Sequence, residues 1–368
     1  MTFLYLFLSL AALCLLLATA DADQHSWTLG PFVRADEVNP IITPQAGTLF
    51  DCPMRGRPIA WEEYATFNPA AVVRDGKVCV LYRAEDATGE EKIGAHTSRV
   101  GLAESADGLH FTRRPQPVFY PADDGQKARE WDGGCEDPRI VETDDGRYVL
   151  MYTQWDRHVA RLAVATSRDL VHWEKHGFIF AQAGNGRFAN QWSKSGSIVC
   201  RRQGDHLIAT QIGGKYWMYW GELSAYLATS TDLIHWEPML DAKGELAYAF
   251  TTRPGKFDSQ LVEPGPPAVL TGNGIVLIYN GANSPTNGDP ALPPRVYCGG
   301  QALMDAHDPT KLIARVEHNF VRPERAYETM GQYKDGTVFL EALVPFGNKW
   351  FLYYGTADSR VGVFVADR

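Results

Sequence analysis

The stretch from Gly133 to Ile140, "GGCEDPRI", concentrates charge in front of an apolar run. It contains the adjacent carboxyl groups of Glu136 and Asp137, followed after a proline by Arg139. Neighbouring carboxyl groups can serve as the acid or base of an enzyme, because each shifts the pKa of the other. They can also bind a metal ion, or form an ion pair with the arginine at the entrance of a strand.

Polar residues precede four other short apolar runs in the same way. These residues are Asn68, Lys194 with Ser195, Glu263, and Glu341. If the runs are equivalent strands, their polar groups converge on one wet pocket, which is the usual form of a small-molecule site. A single charge at a strand end is more often a turn residue paired with a neighbour, but five positions in register favour a ligand site.

The runs belong to a unit that recurs five times. Its most regular part is a strand-like segment introduced by a Gly, Asp or Asn turn, at residues 77–85, 147–155, 205–213, 274–282 and 349–357. Each segment lies between two further apolar runs, so each unit has three or four strands. Five such units predict an all-β fold, a five-bladed β-propeller with an axial funnel. A β-sandwich is the alternative, but it does not predict five similar units.

The last unit ends with the chain and lacks an outer strand. We therefore predict that residues within 26–60 complete the final sheet and close the ring, so that no open edge remains. Residues 21–368 are expected to form a single propeller domain.

Composition restricts the partners. The net charge of −9 and the absence of a basic run argue against nucleic acid. The histidines are scattered and no CxxC motif occurs, so we expect neither a metal site nor another cofactor. Most of the five cysteines after residue 20 are expected to be small buried side chains, and one or two disulfide bridges are the alternative.

Residues 1–20 are apolar and end in Ala-Thr-Ala, which predicts a signal peptide cleaved near Ala20. The mature chain would then be secreted or periplasmic, without stable membrane insertion. A retained membrane anchor is the alternative, because the run is almost long enough to span a bilayer and its start carries no Lys or Arg.

Carboxyl groups dominate the expected pocket, and a pair of them flanking a sugar is the basic equipment for cleaving glycosides. Aromatic faces near the strand entrances could support sugar rings, although propeller blades also use tryptophan for packing. The candidates are Trp61, Trp131, Trp155, Trp192, Trp217 and Trp220. The predicted partner is therefore an oligosaccharide or glycan.

Several motifs together resemble glycoside hydrolase family 130. They are "FNPAAVV", "LYRAE", "GGCEDPRI", "ATSRDLVHW", "LVEPGPPAV", "DPTKLIAR" and "YYGTADS", distributed from about residue 55 to residue 368. The family comprises mannoside phosphorylases and β-mannosidases on five-bladed propellers. The resemblance implies that Asp137 is the proton donor, and that Asn68, Arg83 and Asp358 hold the nonreducing-end mannosyl ring. Tyr354, in the same motif as Asp358, is a further candidate for substrate contact.

Glu136 and Arg139 are expected to orient Asp137 and sugar hydroxyls, or else to form a mutual ion pair. An acid acting near neutral pH needs a raised pKa, and we expect burial beside Glu136 to raise the pKa of Asp137.

Departures from the phosphorylases of the family favour hydrolysis. Asn280 stands where they have a phosphate-binding histidine, and Lys194 alone makes a poor site for a dianion. Glu222 and Glu263 are similar to the glutamates of the family's hydrolases, which can deprotonate water. The sequence therefore predicts an inverting hydrolase of β-mannosides linked β-1,2 or β-1,4. A phosphorylase using inorganic phosphate and a non-catalytic glycan-binding propeller are the alternatives.

Overall fold

The computed structural model describes residues 26–368, which form five antiparallel sheets around a central axis. The predicted five-bladed β-propeller is confirmed. The first strands of the blades contact one another around the axis, and successive strands follow outwards. The predicted signal peptide lies outside the described residues.

Three strands precede the first blade. They are β1 (Val33–Arg34), β2 (Gln45–Cys52) and β3 (Arg57–Glu62). Blade 1 consists of β4 (Ala65–Arg74), β5 (Lys77–Glu85), β6 (Ser98–Ser105) and β7 (Thr112–Arg113). Blade 2 consists of β8 (Gly134–Glu142), β9 (Tyr148–Trp155), β10 (Ala160–Ser167) and β11 (Trp173–Phe178).

Blade 3 is divided into shorter strands. They are β12 (Ser197–Gln203), β13 (His206–Ala209), β14 (Gln211–Ile212), β15 (Lys215–Trp220), β16 (Ala225–Ser230), β17 (Glu237–Pro238) and β18 (Tyr248–Phe250). Blade 4 consists of β19 (Leu261–Pro264), β20 (Ala268–Thr271), β21 (Gly274–Ala282), β22 (Tyr297–Met304) and β23 (Leu312–Arg315). Blade 5 consists of β24 (Val338–Phe346), β25 (Lys349–Thr356) and β26 (Arg360–Asp367), with β1 as its outer strand. Three helical turns lie in the loops, at Lys127–Glu130, Ala183–Gly186 and Ala326–Glu328.

The second strands are almost continuous apolar runs because both of their faces are covered by neighbouring blades. In β5, the side chains from Val78 to Tyr82 are all buried. The hairpin before β5 turns through two residues with left-handed backbone, Asp75 (φ 51°) and Gly76 (φ 71°), as a type I′ turn requires. Among residues 26–368, no helix has the length and apolar character needed to span a membrane.

Blade 3 departs from the predicted strand at 205–213. That stretch forms β13 and β14, and the next strand inside the blade is β15. The extra reversal occurs at Gly213 and Gly214, which both have positive φ values. The repeat pattern could not indicate this reversal, because the first hairpin is as apolar as a blade strand.

The outer turns of blades 1, 2 and 3 share one hydrogen-bonded design. In blade 2, Asp169 accepts hydrogen bonds from the backbone N–H groups of Val171 and His172, both at 2.8 Å, and contacts the His172 ring at 2.7 Å. Leu170 takes a left-handed backbone there, with φ 66°. The same turn occurs at Asp107 with His110 and at Asp232 with His235. The repeated Ser-x-Asp-x-x-His pattern is therefore a turn motif.

Four blades contain a buried arrangement that we call a tyrosine clasp. The hydroxyl of a tyrosine on the second strand donates a hydrogen bond to a buried carboxylate, and a basic side chain contacts the same carboxylate. The clasps are Tyr82–Glu62–Arg113, Tyr152–Glu130–Lys175, Tyr279–Asp258–Arg253 and Tyr354–Glu328–Arg34. Since each carboxylate comes from the segment that leads into the blade or from a loop beside it, the clasp ties that segment to the sheet.

The ring closes as predicted through the amino-terminal segment. Val33 and Arg34 of β1 pair antiparallel with β26, and Ile42 forms a bridge with Val361. Asn39 donates its side-chain amide to the Val363 carbonyl at 2.9 Å and accepts from the Val363 N–H at 2.8 Å. The last sheet therefore has no free outer edge at β26.

Candidate active site

A cavity of about 300 Å³ opens where the inner strands begin, on the axis of the ring. It brings together most of the residues singled out from the sequence. These are Asn68, Arg83, Glu136, Asp137, Trp155, Lys194, Glu222, Glu263 and Asp358. They come from all five blades and from the linker between blades 2 and 3, so only the closed ring assembles the cavity.

Asp137 lies at a break in the register of β8, where the chain bulges towards the axis. Its backbone is left-handed, with φ 48°, and Asn68 at the corresponding bulge of β4 has φ 45°. Such conformations are costly for residues with a side chain and often occur at functional sites. They turn both side chains into the cavity, where Asn68 Nδ2 donates to Asp137 Oδ1 at 2.8 Å.

The electrostatic setting of Asp137 contradicts the predicted raised pKa. Burial alone would raise the pKa of Asp137, but Arg83 at 2.9 Å, Lys194 at 3.5 Å and the Asn68 amide outweigh it and hold the pKa well below its usual value. In the sequence the only charged residue adjacent to Asp137 is Glu136, whereas these three stabilising groups come from distant parts of the chain.

Arg83 connects the acidic groups on this side of the cavity. Its guanidinium donates to Asp137 at 2.9 Å, to Glu136 at 2.9 Å and to Glu85 at 2.7 Å. Burial raises the pKa of Glu136 to about 7, opposed by Arg83 and reinforced by the charge of Asp137. Near pH 7 Glu136 is therefore about half protonated, and it is the more basic member of the Glu136–Asp137 pair.

One short segment, Trp192–Ser195, contacts all three acids expected to act in catalysis. Trp192 Nε1 donates to Glu222 Oε2 at 2.8 Å, and Lys194 Nζ lies 3.5 Å from Asp137 and 4.0 Å from Glu222. The Ser195 hydroxyl donates to Glu263. This linker between blades 2 and 3 thus sets the relative positions of the acids.

The two glutamates differ in environment. Glu263 is 3% exposed, and burial together with the nearby charge of Glu222 raises the pKa of Glu263 to about 8. The side chain of Glu222 is 30% exposed and lies beside the cation of Lys194. At neutral pH Glu263 is therefore mostly protonated and can donate a hydrogen bond.

Asp358 closes the cavity beside Arg83. Its backbone is left-handed, with φ 51°, and burial raises the pKa of its carboxyl group to about 6. Gln332 donates to the Asp358 carbonyl at 3.0 Å and to Glu85 at 2.9 Å. The cavity wall beyond Asp358 is formed by Gln332, Tyr333, Tyr297 and Phe339, which the sequence analysis did not identify.

The cavity is rich in acid. Five carboxyl groups line it against two basic side chains, Arg83 and Lys194. Three of the five, those of Glu136, Glu263 and Asp358, have raised pKa values. Within residues 26–368, no group of three His, Cys, Asp or Glu side chains is arranged to hold a metal ion.

Comparison with known proteins identifies the family. The model of glycoside hydrolase family 130, described as beta-1,4-mannooligosaccharide phosphorylase, matches residues 32–368. The chain belongs to glycoside hydrolase family 130. A 1,2-beta-oligomannan phosphorylase from Thermoanaerobacter sp. (strain X514) is 33% identical over 311 residues, which cover 83% of this chain and 91% of the relative.

Two solved structures are more similar to this chain in sequence. A glycosyl hydrolase from Bacteroides ovatus is 55% identical with a TM-score of 0.91, over 93% of this chain and 94% of that chain. A structure reported among family 130 glycoside hydrolases that target β-1,2-mannosidic linkages in Candida mannan is 52% identical, also with a TM-score of 0.91. In that comparison 93% of this chain and 95% of the other chain are covered.

Four residues suggested for substrate contact in this family 130 chain lie outside the cavity. Arg139 is 1% exposed and donates to the carbonyls of Gly265 at 3.0 Å and Asp137 at 3.2 Å. Its ion pair is with Glu341 at 3.0 Å, and Glu136 is paired with Arg83, so the alternative of a mutual ion pair with Glu136 is wrong. Arg139 therefore supports Asp137 through the backbone, beneath the cavity floor.

The other three are held in the sheets. Glu341 is fully buried beside Arg139, and burial raises the pKa of Glu341 well above its usual value. Asn280 exchanges two hydrogen bonds with the backbone of Leu340, at 3.0 and 2.7 Å. The Tyr354 hydroxyl donates to Glu328 in the tyrosine clasp of blade 5. Asn280 thus contacts the neighbouring blade 5, Glu341 contacts Arg139 of blade 2, and Tyr354 contacts the segment that leads into its own blade.

Of the six tryptophans considered as sugar platforms, Trp155 and Trp192 line the cavity of this family 130 chain. Their rings meet edge to face, with centroids 6.0 Å apart. Trp61 and Trp220 are fully buried in the apolar core. All five cysteines among the described residues are buried, as predicted for most of them, and they form no disulfide bridge.

Proposed function

We propose that this protein is an inverting glycoside hydrolase that removes mannose from β-1,2-linked mannosides. The observation that carries the proposal is the pair of glutamates in the cavity, Glu222 and Glu263, which the Trp192–Ser195 segment contacts. A hydrolase needs a carboxylate there to activate water on the sugar face opposite the acid. The preference for β-1,2 linkages is supported by the 52%-identical structure from the study of such hydrolases.

The charges of the cavity argue against phosphorolysis. A phosphate dianion requires several cationic donors, and charge-assisted hydrogen bonds contribute about 1.5–3 kcal/mol each. The Lys194 ammonium already faces Asp137 and Glu222, and Arg83 is bonded to three carboxylates. Asn280, which replaces a histidine of the phosphorylases, is buried and bonded to Leu340. A dianion would therefore face mainly carboxyl groups.

In the proposed mechanism, Asp137 delivers a proton to the glycosidic oxygen, directly or through a sugar hydroxyl. The proton comes from the Glu136–Asp137 pair. Within this pair Asp137 has the lower affinity for the proton and is therefore the stronger acid. Water attacks the anomeric carbon from the opposite face, and the bond to the leaving oxygen breaks. The water gives up its proton to a carboxylate, and mannose leaves as the α anomer.

Glu222 is the proposed base. A base must be unprotonated before the reaction, and the raised pKa of Glu263, about 8, leaves that group mostly protonated at neutral pH. Glu263 instead donates a hydrogen bond that orients the water. The export expected from residues 1–20 belongs to the same proposal. A phosphorylase saves energy only if its sugar phosphate is made inside the cell, whereas a hydrolase has no such requirement.

The test is anomer-resolved NMR on β-1,2- and β-1,4-mannobiose, with and without inorganic phosphate. We expect free mannose in both conditions, α-mannose as the first product, and faster cleavage of the β-1,2 substrate. Formation of mannose 1-phosphate only when phosphate is added would overturn the proposal of a hydrolase. Absence of cleavage of both substrates would favour a propeller that binds glycans without catalysis.

The base assignment is tested by two matched variants. Glu222→Gln should lower kcat by about 10²-fold or more, as loss of a general base does. Glu263→Gln keeps an N–H donor at the same place, so we expect a smaller loss. Glu245→Gln, at an exposed position in blade 3, is the control. The opposite ranking of the two cavity variants would make Glu263 the base.

A further inference from the structure

Trp192 combines two features at the mouth of the cavity. Its side chain is exposed to 44%, which is unusual for tryptophan, and its ring packs edge to face on Trp155. At the same time its indole N–H donates to Glu222 Oε2 at 2.8 Å. An exposed aromatic face and a bond to the proposed base therefore belong to one side chain.

The bond to Trp192 limits the freedom of Glu222. A partly exposed glutamate has three rotatable side-chain bonds, and holding it in one arrangement opposes that entropy. Glu222 also forms a long ion pair with Lys194, whose Nζ lies 4.0 Å from Oε1. Since the Trp192 N–H donates to Oε2, we assign Oε1 as the oxygen that accepts the proton from water.

We propose that Trp192 is a positioning residue that orients Glu222, and that its ring face also carries the sugar of the leaving group. This inference rests on the proposed function, since it assigns Glu222 as the base. A sugar stacked on the indole restricts the ring, and the restricted ring fixes the carboxylate. Contact with the leaving group then aligns the base, which converts binding energy into rate.

Two substitutions separate the two roles. Trp192→Phe keeps an aromatic face and removes the N–H donor, so kcat on β-1,2-mannobiose should fall about tenfold while KM changes by less than about twofold. Trp192→Leu removes both features, so KM should rise as well. Trp217→Phe removes another indole N–H, bonded to the Ile212 carbonyl at 3.0 Å in blade 3, and should leave both constants unchanged.

The coupling to Glu222 is measured by a double-mutant cycle. If Trp192 acts through Glu222, adding Trp192→Phe to Glu222→Gln should produce little further loss of kcat, because the carboxylate that it orients is already gone. An equal tenfold loss in both backgrounds would overturn the inference, as would a change confined to KM in Trp192→Phe.

The parent enzyme distinguishes this inference from the proposed function. Hydrolysis by the parent without phosphate, together with unchanged kcat in Trp192→Phe, would refute the role of Trp192 alone. Cleavage by the parent only in the presence of phosphate would refute both, because Glu222 would then have no water to activate.

Discussion

Asn68 and Asp137 form a 2.8 Å hydrogen bond between the inner strands of two neighbouring blades, and both residues have left-handed backbone. The proposed acid is therefore held by a partner that is itself at a register break. Since neither conformation is favourable for an isolated residue, the packing of the two blades must maintain both.

Gly355 leaves the space that Asn68 needs. A Cβ atom at this glycine would lie 2.1 Å from Asn68 Oδ1, so Gly355→Ala should push the amide away from Asp137 and lower kcat at least tenfold, with an overpacking cost of about 1–3 kcal/mol in stability. Steady-state kinetics and urea unfolding measure the two effects. Gly272→Ala, on an exposed turn with open space around it, is the control, and equal kcat in the two variants would contradict the argument.

Asp137→Asn should remove the proton donor with little change in shape. We expect kcat on mannobiose to fall by about 10²–10⁴-fold, the usual contribution of general acid catalysis. The loss should be smaller with a nitrophenyl leaving group, which departs without protonation. Asp144→Asn, in an exposed turn of the same blade, should retain activity. Turnover of Asp137→Asn within a few-fold of the parent would disprove the assignment.

Stability should fall as the pH rises towards 8. A carboxyl group whose pKa is raised in the folded state binds more protons when folded than when unfolded, so folding loses free energy as pH rises from its unfolded pKa to its folded one. For Glu263 this window runs from 4.5 to about 8. The slope is at most about 1.4 kcal/mol per pH unit for each group.

Glu263→Gln should therefore flatten the pH dependence of the free energy of unfolding between pH 5 and pH 8. Urea unfolding at intervals of one pH unit would measure it, with Glu245→Gln as the exposed control. Parallel curves for the parent and Glu263→Gln would show that Glu263 does not hold its proton.

Arg34 should stabilise the closed ring. It contacts Glu328 at 2.8 Å, and Glu328 is fully buried, so Arg34→Ala would leave a buried carboxylate with its cation removed. We expect a loss of about 3–5 kcal/mol in the free energy of unfolding. Arg325→Ala removes an exposed pair with Asp36 and should change stability little. Similar losses for the two variants would argue against a special role for Arg34.

The repeat made the fold and the centre of the site predictable from the sequence. A five-fold recurrence of apolar runs specifies blades, and polar residues at equivalent strand entrances must meet on the axis. Asn68, Asp137, Lys194 and Glu263 reached the cavity for that reason. Glu341 occupies an equivalent bulge but lies outside the cavity, because the depth at which a side chain ends depends on packing across the axis.

Other features carried no periodic signal. Gln332 and Tyr333 lie in a long loop before β24, where spacing predicts nothing about direction. The pKa of Asp137 depends on Arg83, Lys194 and Asn68, whose proximity exists only in the closed ring. Tyr354 was attributed to the substrate because its motif contains Asp358, whereas its hydroxyl serves the blade clasp.

The pairing of β1 with β26 also has a consequence for how the chain is made. Asn39 and Val363 are 324 positions apart in sequence, so a ribosome must finish almost the whole chain before their hydrogen bonds can form. Until then the early segment has no partner and blade 5 does not exist. Contacts this distant are slow to form, because a long loop must close first. The cavity, which needs residues of blade 5, is thus completed only after residue 363 has been made, and a chain that stops before blade 5 should be inactive towards glycans.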